Sequence, residues 1–219
     1  MNLFIPLFAA LNRADVRYVI VGGLATVLHG HARLTADVDL AIDLSPEAAR
    51  RAVEALRDMG LKARAPVELL DFAVPERRRE WIEQKGMRVF SLFDPSQPMR
   101  EVDLFVESPM DFEALWRDSM LKDLGSCLVH VASIPHLIEM KRGAGRPQDV
   151  LDIEALEEIV KKRGSTLAES SQGDWEARRK EQLVIGLRAT PAQRLTWLES
   201  MIELAWNSGA LPRRPAQPR

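Results

Sequence analysis

Asp37-Val38-Asp39 holds the two acidic side chains of this sequence whose spacing best suits chemistry. In an extended strand, residues two apart project to the same face. Both carboxylates therefore point together, away from the apolar Val38, Leu40 and Ile42. Carboxylates held that close repel, and a cation between them relieves the repulsion. Hard oxygen ligands suit Mg²⁺, which binds through one or two carboxylates plus substrate phosphates. A later stretch repeats the pattern, with Val102, Leu104 and Val106 on one face and Asp103 on the other. If the two strands are neighbours, three carboxylates converge. Such a set supports two metal ions spaced for in-line displacement at phosphorus, with one carboxylate able to take a proton. Taken singly, each aspartate is explained as well by a solvated strand face.

The elements that must position these residues are legible around them. Tyr18-Val-Ile-Val21 predicts a buried strand that closes at Gly22-Gly23, and Leu24 to His29 predicts a helix stopped by Gly30. Glycines between a strand and a helix leave backbone N–H groups exposed at a positive helix end, a place for phosphate. Ser45 as N-cap and Pro46 at the first position open a helix running through Leu56. Met87 to Phe93 is expected to pair with Glu101 to Val106 across a turn at Asp94 to Pro98. Asp111 to Trp116 is expected to be helical. Region 61–85 has mixed polarity and gives no clear period. Helices are expected at Ile134 to Lys141 and Pro147 to Lys162, with Gly164 after the second.

The motifs Val19-Ile-Val-Gly-Gly-Leu-Ala25, His29-Gly30-x-x-Arg33-x-Thr35-x-Asp37-x-Asp39 and Val102-Asp103-Leu104 together resemble the nucleotidyltransferase superfamily with the polymerase-β-like fold. Leu137-Ile-x-x-Lys141-x-x-Ala144-Gly145-Arg146-Pro147-x-Asp149-x-x-Asp152 is similar to the helical segment of its small bacterial AbiEii and minimal-nucleotidyltransferase members, many of them parts of toxin–antitoxin modules. The resemblance covers roughly residues 3–162. It implies an α/β fold, a mixed sheet flanked by helices, followed here by an all-α C-terminal extension. It implies transfer of a nucleoside monophosphate from an NTP to a hydroxyl of an RNA (tRNA) or protein acceptor. Asp37 and Asp39 would hold Mg²⁺, two ions in all with Mn²⁺ as the alternative, and Asp103 would activate the acceptor while sharing a metal. Gly22, Gly23, Arg33, Thr35, Lys141 and Arg146 would contact the nucleotide. On their own, Lys141 reads equally as a surface lysine, Asp149 and Asp152 as favourable charges at a helix start, and Arg146 as their ion-pair partner. Leu24 stands where many members carry Ser or Thr. It motivates the competing expectation of a catalytically degenerate member that binds nucleotide or a partner, as antitoxin or regulatory subunit. A phosphoesterase built on the same aspartates is the third expectation.

Composition bounds these readings. The chain has 219 residues, 46% of them apolar, which excludes wholesale disorder. Cys127 is the single cysteine, so a disulfide framework and a cysteine-rich zinc site are excluded. His29 and His31 lack the further ligands of a zinc site. Gly143 to Pro147 lacks Walker spacing. Most of the five tryptophans are expected at helix-packing positions, in the core or an interface rather than stacked on bases, and Cys127 is expected as a buried thiol. The apolar opening Met1 to Leu11 has no basic flank and is broken by Pro6, so a packed helix is expected rather than a signal, and a cytoplasmic protein with no membrane partner. The expected domains are a catalytic part over 1–163, a linker at 164–173, helices over 174–211 and a disordered tail at 212–219. The second of those helices opens at Thr190-Pro191 and carries Leu195, Leu198, Ile202 and Ala205 at helical spacing. It is expected to dock a cognate toxin or antitoxin protein or a second copy of the chain. The formal charge of −2 divides into −7 over residues 1–160 and +5 over 161–219, an acidic catalytic part and a basic appendage.

Overall fold

The computed structural model of the chain describes residues 3–164 and 184–211. Helix α1 (Ile5–Arg13) carries Pro6 in its first turn and buries Leu7, Phe8 and Leu11. Strand β1 (Tyr18–Val21) is buried along its whole length. Helix α2 (Gly22–His29) follows with no intervening loop, and β2 (Asp37–Ile42) comes after an irregular segment at 31–36. Helix α3 (Pro46–Asp58) presents Ala49, Ala52, Val53 and Leu56 to the core. Region 61–85 resolves into a two-residue strand β3 (Lys62–Ala63), a 3₁₀ turn (Leu69–Ala73) and α4 (Pro75–Lys85). Then come β4 (Val89–Asp94), β5 (Gln97–Phe105), α5 (Phe112–Arg117), β6 (Met120–Asp123), β7 (Leu128–Val131), α6 (Ile134–Ala144) and α7 (Pro147–Gly164). Residues 184–188 are helical, and α8 (Pro191–Asn207) closes the described chain.

The protein is α/β: a seven-stranded mixed sheet in the order β3-β4-β5-β2-β1-β7-β6, flanked by helices, with a helical C-terminal part. β2 pairs antiparallel with β1 and parallel with β5, so the two acidic strands are neighbours. Alternation along β2 and β5 buries Val38, Leu40, Val102 and Leu104 completely on one face. The 3₁₀ turn and α4 close over this part of the core, where Phe90 stacks on Trp81 and meets Phe72. Burial of each such side chain stabilises the fold by about 1.5–3 kcal/mol.

Several local expectations need correction. The hairpin turn is tighter than Asp94 to Pro98: β4 runs to Asp94 and β5 begins at Gln97. The Asp94 carboxylate closes the turn by accepting from the Ser96 N–H, the Ser96 hydroxyl and the Gln97 N–H. Ser45 holds the N-cap position of α3, but its hydroxyl makes no capping bond, and its own N–H donates to Asp43. Cys127 is only half-buried rather than buried, and Trp197, at 46% exposure, lies outside the core. Of the expected linker at 164–173 only Gly164 is described, as the last residue of α7. Trp175, most of the first C-terminal helix and the tail at 212–219 lie outside the described residues. Among the described residues, no helix is long and apolar enough to cross a membrane.

Helix α8 is bound into the body of the protein. A capping box between Thr190 and Gln193 starts it, and Leu195, Leu198 and Ile202 are buried as their spacing predicts. The buried Arg194 guanidinium donates to Leu28 O (2.6 Å) and Gly186 O (2.6 Å). It thereby satisfies a carbonyl at the negative end of α2. Glu199 accepts from the N–H groups of Leu3 (2.9 Å) and Phe4 (3.0 Å), which caps α1 from nearly two hundred residues away. Burial holds the Glu199 carboxyl above its ordinary range, against the two N–H bonds and the Arg100 charge, which favour ionisation.

Glu199→Ala strands two buried donors and is expected to lower unfolding free energy by about 2–3 kcal/mol, read by denaturant titration. An acid whose pKa is raised on folding contributes its stability fully below the ordinary glutamate range. That contribution is lost as pH rises through the raised value. Glu199→Gln keeps the acceptor oxygen and is expected to flatten this decline in the thermal midpoint.

Candidate active site

The pairing of β2 with β5 aligns Asp37 with Glu101 and Asp39 with Asp103. All four lie on the half-exposed face of the sheet, opposite the fully buried Val38, Leu40, Val102 and Leu104. Glu101 was not singled out from the sequence. Glu101-Val102-Asp103 repeats the spacing of Asp37-Val38-Asp39, and the same period-2 argument identifies it. Like charges set opposite one another on adjacent strands destabilise, and Asp39 registers this. Its carboxyl is pushed up to about 7, first by burial, then by the charges of Asp103 and Asp37. The Gly23 N–H and the charge of Arg146 act in the other direction.

Gly22 and Gly23 form the first turn of α2 directly beside Asp39. The α2 N-cap, Val21, offers no side-chain cap, and the first turn holds no acid. The Asp39 carboxylate takes that place from β2 by accepting from the Gly23 N–H. Gly22 has φ +63°, and a Cβ there would lie 2.6 Å from Asp39 Cγ. A Cβ on Gly23 would lie 2.5 Å from Thr35 Oγ1 and 3.3 Å from Arg33 Cζ. At Gly22 the left-handed backbone favours glycine and a carboxylate roofs the position, whereas at Gly23 a side chain would have to displace the hydroxyl and guanidinium that roof it. Leu24 is fully buried and faces the core.

Arg33 links this turn to the α6–α7 helical pair. Its Nη1 donates to Asp152 Oδ2 at 2.5 Å, and Lys141 Nζ donates to the same oxygen at 2.6 Å. Asp152 is fully buried, and His31 Nε2 stands 3.8 Å from its other oxygen. Lys141 also reaches Asp149 at 3.4 Å, and Arg146 donates to Asp149 through both its backbone N–H and its Nε. The nucleotide-contact residues expected from the sequence, Gly22, Gly23, Arg33, Thr35, Lys141 and Arg146, therefore form one connected wall beside Asp39. Within it, Lys141 is a buried ion-pair partner of two carboxylates rather than a surface lysine, and Arg146 takes the pairing option.

The all-oxygen donor set of Asp37, Asp39 and Asp103 is of the kind that suits a hard divalent cation, and burial together with the charges of Asp103 and Asp37 raises the proton affinity of Asp39. Among the described residues, however, no group of three or more His, Cys, Asp or Glu side chains is arranged to hold a metal ion. No protein-family model matches this chain, and no curated protein matches it at a significant level.

Gly22→Ala is expected to destabilise by at least about 1–2 kcal/mol from its left-handed backbone alone, with Asp39 displaced in addition. Asp152→Ala strips Lys141 and Arg33 of a shared buried counter-ion and is expected to cost about 3–5 kcal/mol. Urea titration of the two variants beside the wild type measures both.

Proposed function

We propose that this chain is a nucleotidyltransferase with a polymerase-β-like fold. In this reading it transfers a nucleoside monophosphate from an NTP to a hydroxyl of an RNA (tRNA) or protein acceptor, as part of a toxin–antitoxin module. The observation that carries the reading is the register of β2 and β5, which sets Asp39 beside Asp103 on a half-exposed sheet face, next to the glycine start of α2. Asp37, Asp39 and Asp103 would hold the divalent ions, which would supply neutralisation of the triphosphate and of the charge that develops at phosphorus. The Gly22-Gly23 turn, the Thr35 hydroxyl and the Arg33 guanidinium orient phosphate oxygens at the positive end of α2. Asp103 takes the proton of the acceptor hydroxyl. The acceptor oxygen bonds to the α-phosphorus, the bond to the bridging oxygen breaks, and pyrophosphate leaves. Asp152 holds Arg33 and Lys141 in place, and positioning of the reactants supplies much of the acceleration.

A second reading, a nucleotide- or partner-binding chain without transfer, is favoured by the double engagement of Lys141 with Asp149 and Asp152. The exposed stripe of Trp197, Met201 and Leu204 on α8 would then serve a protein partner.

Incubation of the full chain with each α-labelled NTP, Mg²⁺, total RNA and cell extract decides between them. Labelled RNA or protein, lost on chelation, supports transfer. Asp37→Asn and Asp103→Asn are expected to reduce labelling about 10²–10⁴-fold without lowering the thermal midpoint, because each removes a repelling charge. No labelled macromolecule with any NTP overturns the transfer reading.

A further inference from the structure

The open face that carries Asp103 does not end at β5. Across the next pairing, Ser91 lies opposite Asp103 and Phe93 lies opposite Glu101. On the far side of β4, Lys62 lies opposite Phe93, and the Arg64 N–H donates to Ser91 O. Residues opposite one another share a face, so one row reads Lys62, Phe93, Glu101, Asp37. The neighbouring row runs Ser91, Asp103, Asp39. Phe93 is half-buried on this face while its strand neighbours Leu92 and Asp94 are buried. The Arg64 guanidinium lies 5.1 Å from the centroid of the Phe93 ring and is ion-paired with Glu101. Arg64 Nε is buried without a hydrogen-bond partner among the described residues, and Lys62 is exposed. β3 is the last strand of the sheet on this side.

We infer that Lys62, Arg64 and Phe93 form the acceptor subsite, and that the acceptor is single-stranded RNA presenting a terminal hydroxyl to Asp103. This inference rests on the transfer reading above and names the substrate class of that site. A guanidinium pressed on an aromatic ring and held by a carboxylate is a rigid planar cation. Nucleobases stack on such planes and on aromatic rings with little regard to sequence. An exposed lysine one strand pair away supplies the charge that a backbone phosphate needs. The three residues adjoin Asp103 on the side away from α2, where Gly22-Gly23, Thr35 and Arg33 stand. Base, phosphate and reacting hydroxyl are thus offered separate contacts along one face. A protein acceptor has no phosphate for Lys62 and seldom an aromatic plane for Arg64.

The test uses the full chain without NTP or divalent ion and a short single-stranded RNA carrying 2-aminopurine at its 3′ end. Stacking quenches the probe, and anisotropy at several salt concentrations gives affinity. The wild type is expected to bind and quench. Arg64→Lys retains the charge that pairs with Glu101 but loses the plane, and Phe93→Leu retains apolar bulk but loses the ring. Each is expected to weaken binding about tenfold and abolish the quench. Lys62→Gln, at an exposed position, is expected to leave the quench and lower the salt slope by about one. Failure of the wild type to bind RNA, or binding unchanged in all three variants, overturns the inference. Label transferred to protein alone, with no RNA bound, overturns it while leaving nucleotidyl transfer in place. Binding lost in these variants while no NTP yields any labelled macromolecule supports the RNA subsite and overturns the transfer reading.

Discussion

Parallel pairing of β2 with β5 is the constraint around which the molecule is arranged, because it lines up acidic residues that electrostatics alone would separate. Asp37 meets Glu101 and Asp39 meets Asp103, with only a strand spacing between them. The opposing face makes the arrangement affordable, since Val38, Leu40, Val102 and Leu104 are wholly withdrawn from water there. Shifting the register by one residue would exchange the two faces, placing carboxylates in the core and apolar groups in solvent. The hydrophobic pattern therefore locks the charges together. Two of these carboxylates engage positive groups within reach. Arg64 pairs with Glu101, the Gly23 N–H serves Asp39, and Arg146 adds a more distant charge.

The basic side chains near these strands are managed in the same manner. Arg33, Lys141 and Arg146 do not point freely into the site but are held by Asp149 and Asp152. Asp152 receives two cations while fully buried, an arrangement in which loss of one partner is far worse than loss of the whole set. The irregular segment at 31–36 is thereby fastened to α6 and α7 through Arg33. The geometry beside Gly23 depends on helices more than a hundred residues further along the chain.

Much of this was legible from local pattern. The strand–glycine–helix sequence at 18–29, the period-2 strand at 37–42 and the helices opened by Pro46, Pro147 and Pro191 all follow from rules that need only near neighbours. The shared face of Asp37, Asp39 and Asp103 required one further guess, the adjacency of two distant strands. What stayed hidden depends on tertiary context. β3 has two residues, and β6 (Met-Leu-Lys-Asp) is an outer strand with no apolar alternation, so pairing with a neighbour is what makes each a strand. The burial of Lys141 was invisible because a lysine looks the same in sequence whether or not two aspartates enclose it. The role of Asp39 as a tertiary cap for α2 was equally hidden, since no capping residue precedes the helix.

The Glu199 carboxylate that caps α1 lies 196 residues from the first amide it binds. On a ribosome, a chain that has not yet emerged past this glutamate lacks the acceptor for Leu3 and Phe4, and lacks the Arg194 guanidinium for the end of α2. The opening helix and the C-terminal end of α2 therefore stay incompletely satisfied until Glu199 and Arg194 have emerged. A loop this long also closes late and slowly. Completion of these two helix ends is therefore timed by the emergence of those two residues.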